Sequence, residues 1–217
     1  MKKRRIIGII LIILGIAIAS SPFIGKMVTD YKQYRLLKQL ELYEFKLPSR
    51  EAVITRDPSI TPDPMATPEP EATPSPEPVY YYMSADDQMV IGVITIEKIK
   101  VKIPIIEGVQ QEELDQAIGH MPGTPFPGKP GNVILAGHRS YSFGQFFNRI
   151  DELENGDVIK VSYANKTFEY TVYDKLTVLP DETWVLNSNK NESIISLITC
   201  TPPYVFSHRL IVRARLI

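Results

Sequence analysis

Between Asp57 and Pro78 the chain carries eight prolines, Pro58, Pro62, Pro64, Pro68, Pro70, Pro74, Pro76 and Pro78, set among Thr, Glu, Ser and Ala. Each proline removes a backbone donor and fixes φ, and the residues between them offer too little apolar surface to bury. This stretch joins neither a helix bundle nor a sheet, so it divides the chain in two. Extended at about 3.1 Å per residue it reaches on the order of 70 Å, the length of a spacer; folded back on its neighbour it is a lid.

Upstream, Lys2-Lys3-Arg4-Arg5 precedes an uncharged apolar run from Ile6 to Ala19 that continues through Ser20-Ser21-Pro22-Phe23-Ile24 before Lys26. About 20 such residues cross a hydrocarbon core of about 30 Å. Positive charge on the short N-terminal side keeps that end cytoplasmic and exports the chain beyond Lys26. Ala17-Ile18-Ala19 also has the small-x-small spacing of a signal-peptidase site, so residues 1–25 read as an uncleaved transmembrane anchor or a cleaved signal. Residues 26–56 form a juxtamembrane stalk, helical over Met27 to Phe45 by the spacing of Val28, Tyr31, Tyr34, Leu36, Leu37, Leu40 and Tyr43. Residues 57–79 are the Pro-rich linker or lid, and 80–217 the folded domain.

That domain reads as all-β. Val90 to Glu97, Val101 to Ile106, Asn132 to Ala136, Asp157 to Tyr163, Thr167 to Thr177, Ser193 to Cys200 and Arg209 to Ile217 are strand-like runs. Short helices are expected at Gln111 to Ala117 and Phe143 to Leu153, a Pro/Gly loop at Gly119 to Gly131 and a hairpin turn at Ala164-Asn165-Lys166. In the last strand, period two puts Leu210, Val212, Ala214 and Leu216 on the core face and Arg209, Ile211, Arg213 and Arg215 on the other. Many short strands with brief helices predict a closed barrel or a sandwich.

A net charge of -1 gives no reason to expect nucleic acid as a partner. The chain holds a single cysteine, Cys200, so an exported domain has no internal disulfide and the thiol is either packed and inert or free and reactive. Cys200 ends an apolar run just before Thr201-Pro202-Pro203, where a strand must stop. His138 follows the run Val133-Ile134-Leu135-Ala136-Gly137, and Arg209 opens the final one. A thiol needs a proton carrier to act as nucleophile, and attack on a carbonyl needs a donor for the oxyanion. Taken singly, His138 reads as a satisfied core histidine and Arg209 as a solvated arginine; three such groups at strand ends read as an active centre.

Leu197-Ile198-Thr199-Cys200 with His208-Arg209-Leu210, and Gly131-Asn132-Val133-Ile134-Leu135-Ala136-Gly137-His138-Arg139, resemble the sortases, cysteine transpeptidases of Gram-positive surfaces. The resemblance covers about Met89 to Ile217. It implies a closed eight-stranded sortase-type β-barrel with short helices, preceded by the N-terminal membrane helix, in the cell membrane with its catalytic domain outside. It implies that Cys200 attacks an LPxTG-like C-terminal sorting motif and forms a thioacyl enzyme that an amine resolves. His138 would carry the proton, Arg209 hold substrate and oxyanion, and Thr199 support the oxyanion site. The implied partners are exported proteins bearing a sorting signal and a peptidoglycan precursor amine, with a pilin lysine amine, as in class C enzymes, as the alternative acceptor.

The single anchor is closer to class D or to a class A-like housekeeping enzyme, and the lid signature is imperfect at Asp57-Pro58-Ser59 and Asp63-Pro64-Met65. A hydrolytic cysteine peptidase and a non-catalytic wall domain are the competing readings. No cofactor is expected, and the three histidines are not at metal-ligand spacing. Glu112, Glu113, Asp115, Asp151, Glu152 and Glu154 could hold calcium, though a solvated acidic face is the simpler reading. His120 is expected to be structural and His208 to orient its loop.

Overall fold

The computed structural model describes residues 2–46, 81–84, 88–139, 146–187 and 191–217. The Pro-rich stretch 57–79, linker or lid, lies outside the described residues. Helix α1 (Lys2–Lys46) is followed by β1 (Tyr82–Met83), β2 (Met89–Ile96), β3 (Val101–Glu107), α2 (Gln111–Leu114), β4 (Ile118–His120), β5 (Gly131–Ala136), β6 (Val158–Tyr163), β7 (Lys166–Val178), β8 (Ser193–Thr201) and β9 (His208–Leu216). The strand order is β1-β2-β3-β4-β5-β8-β9-β7-β6, and β6 pairs back onto β2 through Gly92↔Tyr163 to Thr95↔Lys160. Strands β2 to β9 therefore close an eight-stranded barrel, as expected, with β1 added at the start of β2.

Period-two alternation builds the barrel wall. In β6, Ile159, Val161 and Tyr163 are buried while Val158, Lys160 and Ser162 are not, and Tyr170 and Val172 of β7 fill the same core. The β6–β7 hairpin turns on Ala164 (φ 51°) and Asn165 (φ 58°), two successive left-handed residues whose twist suits a tight hairpin. Strand β5 lies parallel to β8. Both are covered on two faces, which is why they read as unbroken apolar runs.

The outer face of β7, β8 and β9 is covered by a 3-10 turn, Thr183–Leu186, whose Val185 packs on Val178 and Ile211. Ile211, expected outward beside Arg209, Arg213 and Arg215, does face outward yet is 1% exposed because this turn lies over it. Two other expectations are corrected. Of the helix expected over Phe143 to Leu153, residues 143–145 lie outside the described residues, and 146–152 are turn followed by a 3-10 turn, Ile150–Glu152. Phe147, Ile150 and Leu153 are all fully buried, and the Ile150 and Leu153 N–H groups bond three residues back, to Phe147 O (3.5 Å) and Ile150 O (3.2 Å), which is the 3-10 pattern. The loop expected from Gly119 begins inside β4, a strand of three residues, too short to show alternation.

Helix α1 is continuous from the apolar run into the stalk. Leu36 and Leu40, one turn apart, bury against Val90, Ile106 and Ala117, so the stalk helix rests on the domain. Among the described residues no helix is long and apolar enough to cross a membrane; the side chains at 2–6, 17, 19, 21, 22 and 26, within or beside the run expected to span, lie outside the description.

Candidate active site

Three strands set the site. Cys200 and Arg209 are directly opposed partners in the antiparallel β8–β9 ladder, and such residues project from the same face with Cβ atoms about 5 Å apart. On the other side, parallel β5 and β8 run in register to Ala136↔Ile198, and the Gly137 N–H extends the ladder to Ile198 O (3.0 Å). His138 lies two residues past Ala136 and Cys200 two residues past Ile198. Neighbouring strands are about 4.8 Å apart, so the imidazole and the thiol start from adjacent points on one rim.

The face is fixed further down the strands. Ser196 donates to Asn132 Oδ1 (2.8 Å), and the Asn132 amide reaches Val185 O (3.4 Å) and Asn187 O (3.5 Å) under the covering turn. Asn132, Ser196, Ile198, Cys200 and Arg209 thus share the outer face, away from the barrel core of Val133, Leu135, Ile195 and Leu197. Gly137 is required beside His138: a Cβ there would stand 2.6 Å from Ile118 Cδ1 and 2.9 Å from Phe147 Cδ2, closer than side chains approach.

Cys200 is a free, partly exposed thiol. The His138 side chain is 35% exposed; its Nε2 is 3.2 Å from Asp115 Oδ1 and 3.4 Å from Gln111 Nε2, and its ring meets Phe146 edge-on at 6.2 Å. Gln111 also donates to Asp115 Oδ1 (2.8 Å), so the two ends of the short α2 grip one edge of the imidazole. Arg209 donates from Nη1 to Phe206 O (3.3 Å) and His208 O (3.1 Å), curling its guanidinium over the β8–β9 loop. Among the described residues its other donors are uncommitted.

Thr199 lies on the inner face, 2% exposed, and its hydroxyl donates to Gly137 O (2.7 Å). The hydroxyl is spent on the segment that carries His138 and does not open toward the thiol. His208 takes the opposite face from Arg209, with Nδ1 2.8 Å from Ser207 Oγ. His120 is fully buried, Nδ1 2.6 Å from Glu107 Oε2 and Nε2 3.1 Å from Pro125 O, stacked on Phe126.

Four of the six acids considered for calcium are spread over separate partners. Asp115 faces His138, Asp151 pairs with Arg139 (3.0 Å), Glu154 with Lys98 (2.8 Å), and Glu152 with Arg149 (2.6 Å), whose hydrogen bonds hold the Glu152 carboxyl below the usual range. No cluster able to hold a metal ion is present among the described residues. Gln111 and the Asp115–His138 contact are not singled out by the sequence. Residues 23 and 27 positions apart carry no spacing signal, and only the β3–β4–β5 arrangement brings them together.

A sortase domain model matches residues 94–217. The chain is 30% identical over 111 residues to Sortase D of Bacillus subtilis (strain 168), covering 51% of this chain and 54% of that protein. It is 25% identical over 209 residues to Sortase A of Listeria monocytogenes, covering 96% and 89%. The chain spans about half the length of the first curated relatives it matches. Among solved structures it is similar to a Clostridium perfringens Sortase D5 transpeptidase (38% identity, TM-score 0.55, 59% of this chain and 79% of that one). It is also similar to sortase C-1 from Actinomyces oris (36% identity, TM-score 0.56, 59% and 73%). With the match running from Ile94 to the last residue, more than half its length, the chain belongs to the sortase family.

Proposed function

We propose that the chain is a membrane-anchored, extracellular cysteine transpeptidase that cleaves an LPxTG-like sorting motif and passes the acyl fragment to a cell-wall amine. The observation that carries this reading is the convergence of Cys200, Arg209 and His138 on one rim of the barrel, from two cross-strand partners and the end of the adjoining parallel strand. His138 takes the proton of the Cys200 thiol as Sγ attacks the scissile carbonyl, and gives it to the departing amine as the peptide C–N bond breaks. The thioester is then attacked by an incoming amine, whose proton passes through His138 to the departing Cys200 sulfur, which restores the thiol. Arg209 turns its uncommitted donors to the oxyanion in both steps. Exchange of an amide for an amide through a thioester needs no external energy source, which suits a site outside the cell.

The anchor is read from α1. Ile6 to Ile24 carries no charge, follows four basic residues, and at about 1.5 Å per residue covers about 28 Å, close to a hydrocarbon core. The described side chains of Ile9 to Leu14 are all exposed, six in succession and so apolar around the whole helix. Since Leu36 and Leu40 bury on the domain, the anchor holds the barrel through packing as well as through the chain.

The test is mass spectrometry of the full-length chain in detergent with LPxTG-type and LPxTA-type peptides, beside Cys200→Ala, offering no amine, a peptidoglycan-stem amine or a lysine amine. A Cys200-dependent conjugate with the stem amine is the expected product. A conjugate with lysine alone would favour pilin-type transfer, the second reading, toward which the likeness to sortase C-1 points. Water-only products would make the protein a peptidase.

A further inference from the structure

Regular backbone pairing between β5 and β8 ends at Gly137, one residue short of His138. Beyond that point the His138 backbone is held by the Phe147 N–H (3.1 Å) and its ring by α2, while the direct ties from its segment to β8 are a pair of side-chain bonds on the inner face. Thr199 donates to Gly137 O just before the two site residues. Arg139 Nη1 donates to Thr201 Oγ1 (3.0 Å) just after them. Arg139 follows His138, and Thr201 follows Cys200.

The Arg139 guanidinium is also placed by Asp151, 3.0 Å from its Nη2, and its side chain is 8% exposed. Its Nε is buried with no partner among the described residues. Burying a guanidinium with an unmet donor costs stability that an apolar side chain of similar volume would not. Stability therefore gives no reason for an arginine here, while a planar fork tying a loop to a strand end gives a positional one.

We propose that Arg139, acting through Thr201 and oriented by Asp151, is a positioning residue that sets the spacing of His138 and Cys200, an inference that rests on the transfer reaction proposed above. It touches neither substrate nor reacting atoms. Without it, the segment's remaining described links to β8, the Gly137 N–H bond to Ile198 O and the Thr199 bond to Gly137 O, both stop short of His138, and a displacement of about 1 Å at a reacting group costs on the order of 100-fold in rate.

The experiment uses the full-length chain and the variants Arg139→Met, Arg139→Lys, Thr201→Val and the Met/Val double variant, assayed well below their melting temperatures. The expected result is a fall in kcat of about 10- to 100-fold for Arg139→Met and Thr201→Val with KM within about twofold, partial rescue by Lys, and a double variant no slower than the slower single one. A kcat per folded molecule within about twofold of the parent, whatever the melting temperature, would leave Arg139 merely structural and overturn the proposal.

If the parent transfers no peptide, the function reading fails and a second measurement decides the positioning role. The rate of Cys200 alkylation by iodoacetamide is compared with and without His138→Ala. Dependence on His138 in the parent that disappears in Arg139→Met supports the proposal. Dependence that persists in Arg139→Met, or is absent from the parent, overturns it.

Discussion

Gly119-His120, in β4, and Gly137-His138, just past the end of the neighbouring β5, are the same dipeptide in one barrel: Gly119 pairs with Ala136 and His120 with Leu135. One ring is sealed and the other is open. After β4 the chain doubles back, so that Thr124 Oγ1 comes within 3.0 Å of His120 Nε2 and Phe126 stacks on the ring at 4.9 Å, itself backed by Tyr163. After β5 the described chain meets His138 only at one side, where Phe147 N–H bonds its carbonyl (3.1 Å) and Phe146 stands edge-on to the ring; the imidazole stays 35% exposed on the outer face, with α2 at one edge. The difference lies in what the next segment covers, and it separates a histidine that holds a loop from one that can move a proton.

Exchange of roles between the two would break this comparison most sharply. Removing His138 as His138→Ala should cut peptide transfer by about 10²- to 10⁴-fold, the span of general acid–base catalysis, with the melting temperature close to that of the parent. His120→Ala should do the reverse. It removes a buried ring and leaves Glu107 without its partner, lowering stability by about 2–4 kcal/mol in chemical denaturation, while activity per folded molecule holds. A fully folded, inactive His120→Ala would place the wrong histidine at the centre of the chemistry.

The glycine beside His138 sharpens the comparison from the backbone side. Gly137→Ala forces a methyl group into Ile118 and Phe147 and should cost about 1–3 kcal/mol in thermal or denaturant unfolding. Because the same residue delivers His138, transfer should fall further than the lost stability explains.

The smallest effect is expected away from both histidines, at the surface pair of Lys98 and Asp157 (2.7 Å). Burial alone would raise the Asp157 carboxyl, but hydrogen bonds from Lys98 Nζ and the Glu154 N–H outweigh it and hold the group below the ordinary carboxylate range. A depressed folded value means stability that is present above the unfolded value and lost as pH falls through the folded one. Asp157→Asn should therefore lie slightly below the parent at neutral pH, and the gap should close on acidification below about pH 4. Lys98, raised by its bonds to Asp157 and Glu154, loses its part only above its ordinary range, so it does not disturb that acid limb. Transfer activity should be unchanged.

Much of the barrel was legible because its strands are long and punctuated. Strand β6 and the first part of β7, up to the bulge after Val172, alternate about Ala164-Asn165, and β8 ends where Pro202 and Pro203 forbid continuation. The three site residues could be named because each stands at such a break. What stayed hidden is what depends on distant packing. Strand β4 is three residues held from both sides by β3 and β5, and the Ile211 face is closed by a turn 25 residues upstream. Of the two groups by which Thr199 was expected to support the oxyanion, backbone or hydroxyl, the hydroxyl is found on Gly137 O because strand parity turns it inward. The grip of Asp115 on His138 and the Arg139–Thr201 tie arise from loops that sequence alone does not place.

The central claim is that the Cys200 thiol carries the acyl group between two amines, and intact mass spectrometry of the full-length protein mixed with a sorting-motif peptide tests it most directly. The account predicts an adduct of the N-terminal peptide fragment on Cys200 that accumulates without amine, disappears when amine is added and never forms in Cys200→Ala. Peptide cleavage with no adduct, undiminished in Cys200→Ala, would contradict it.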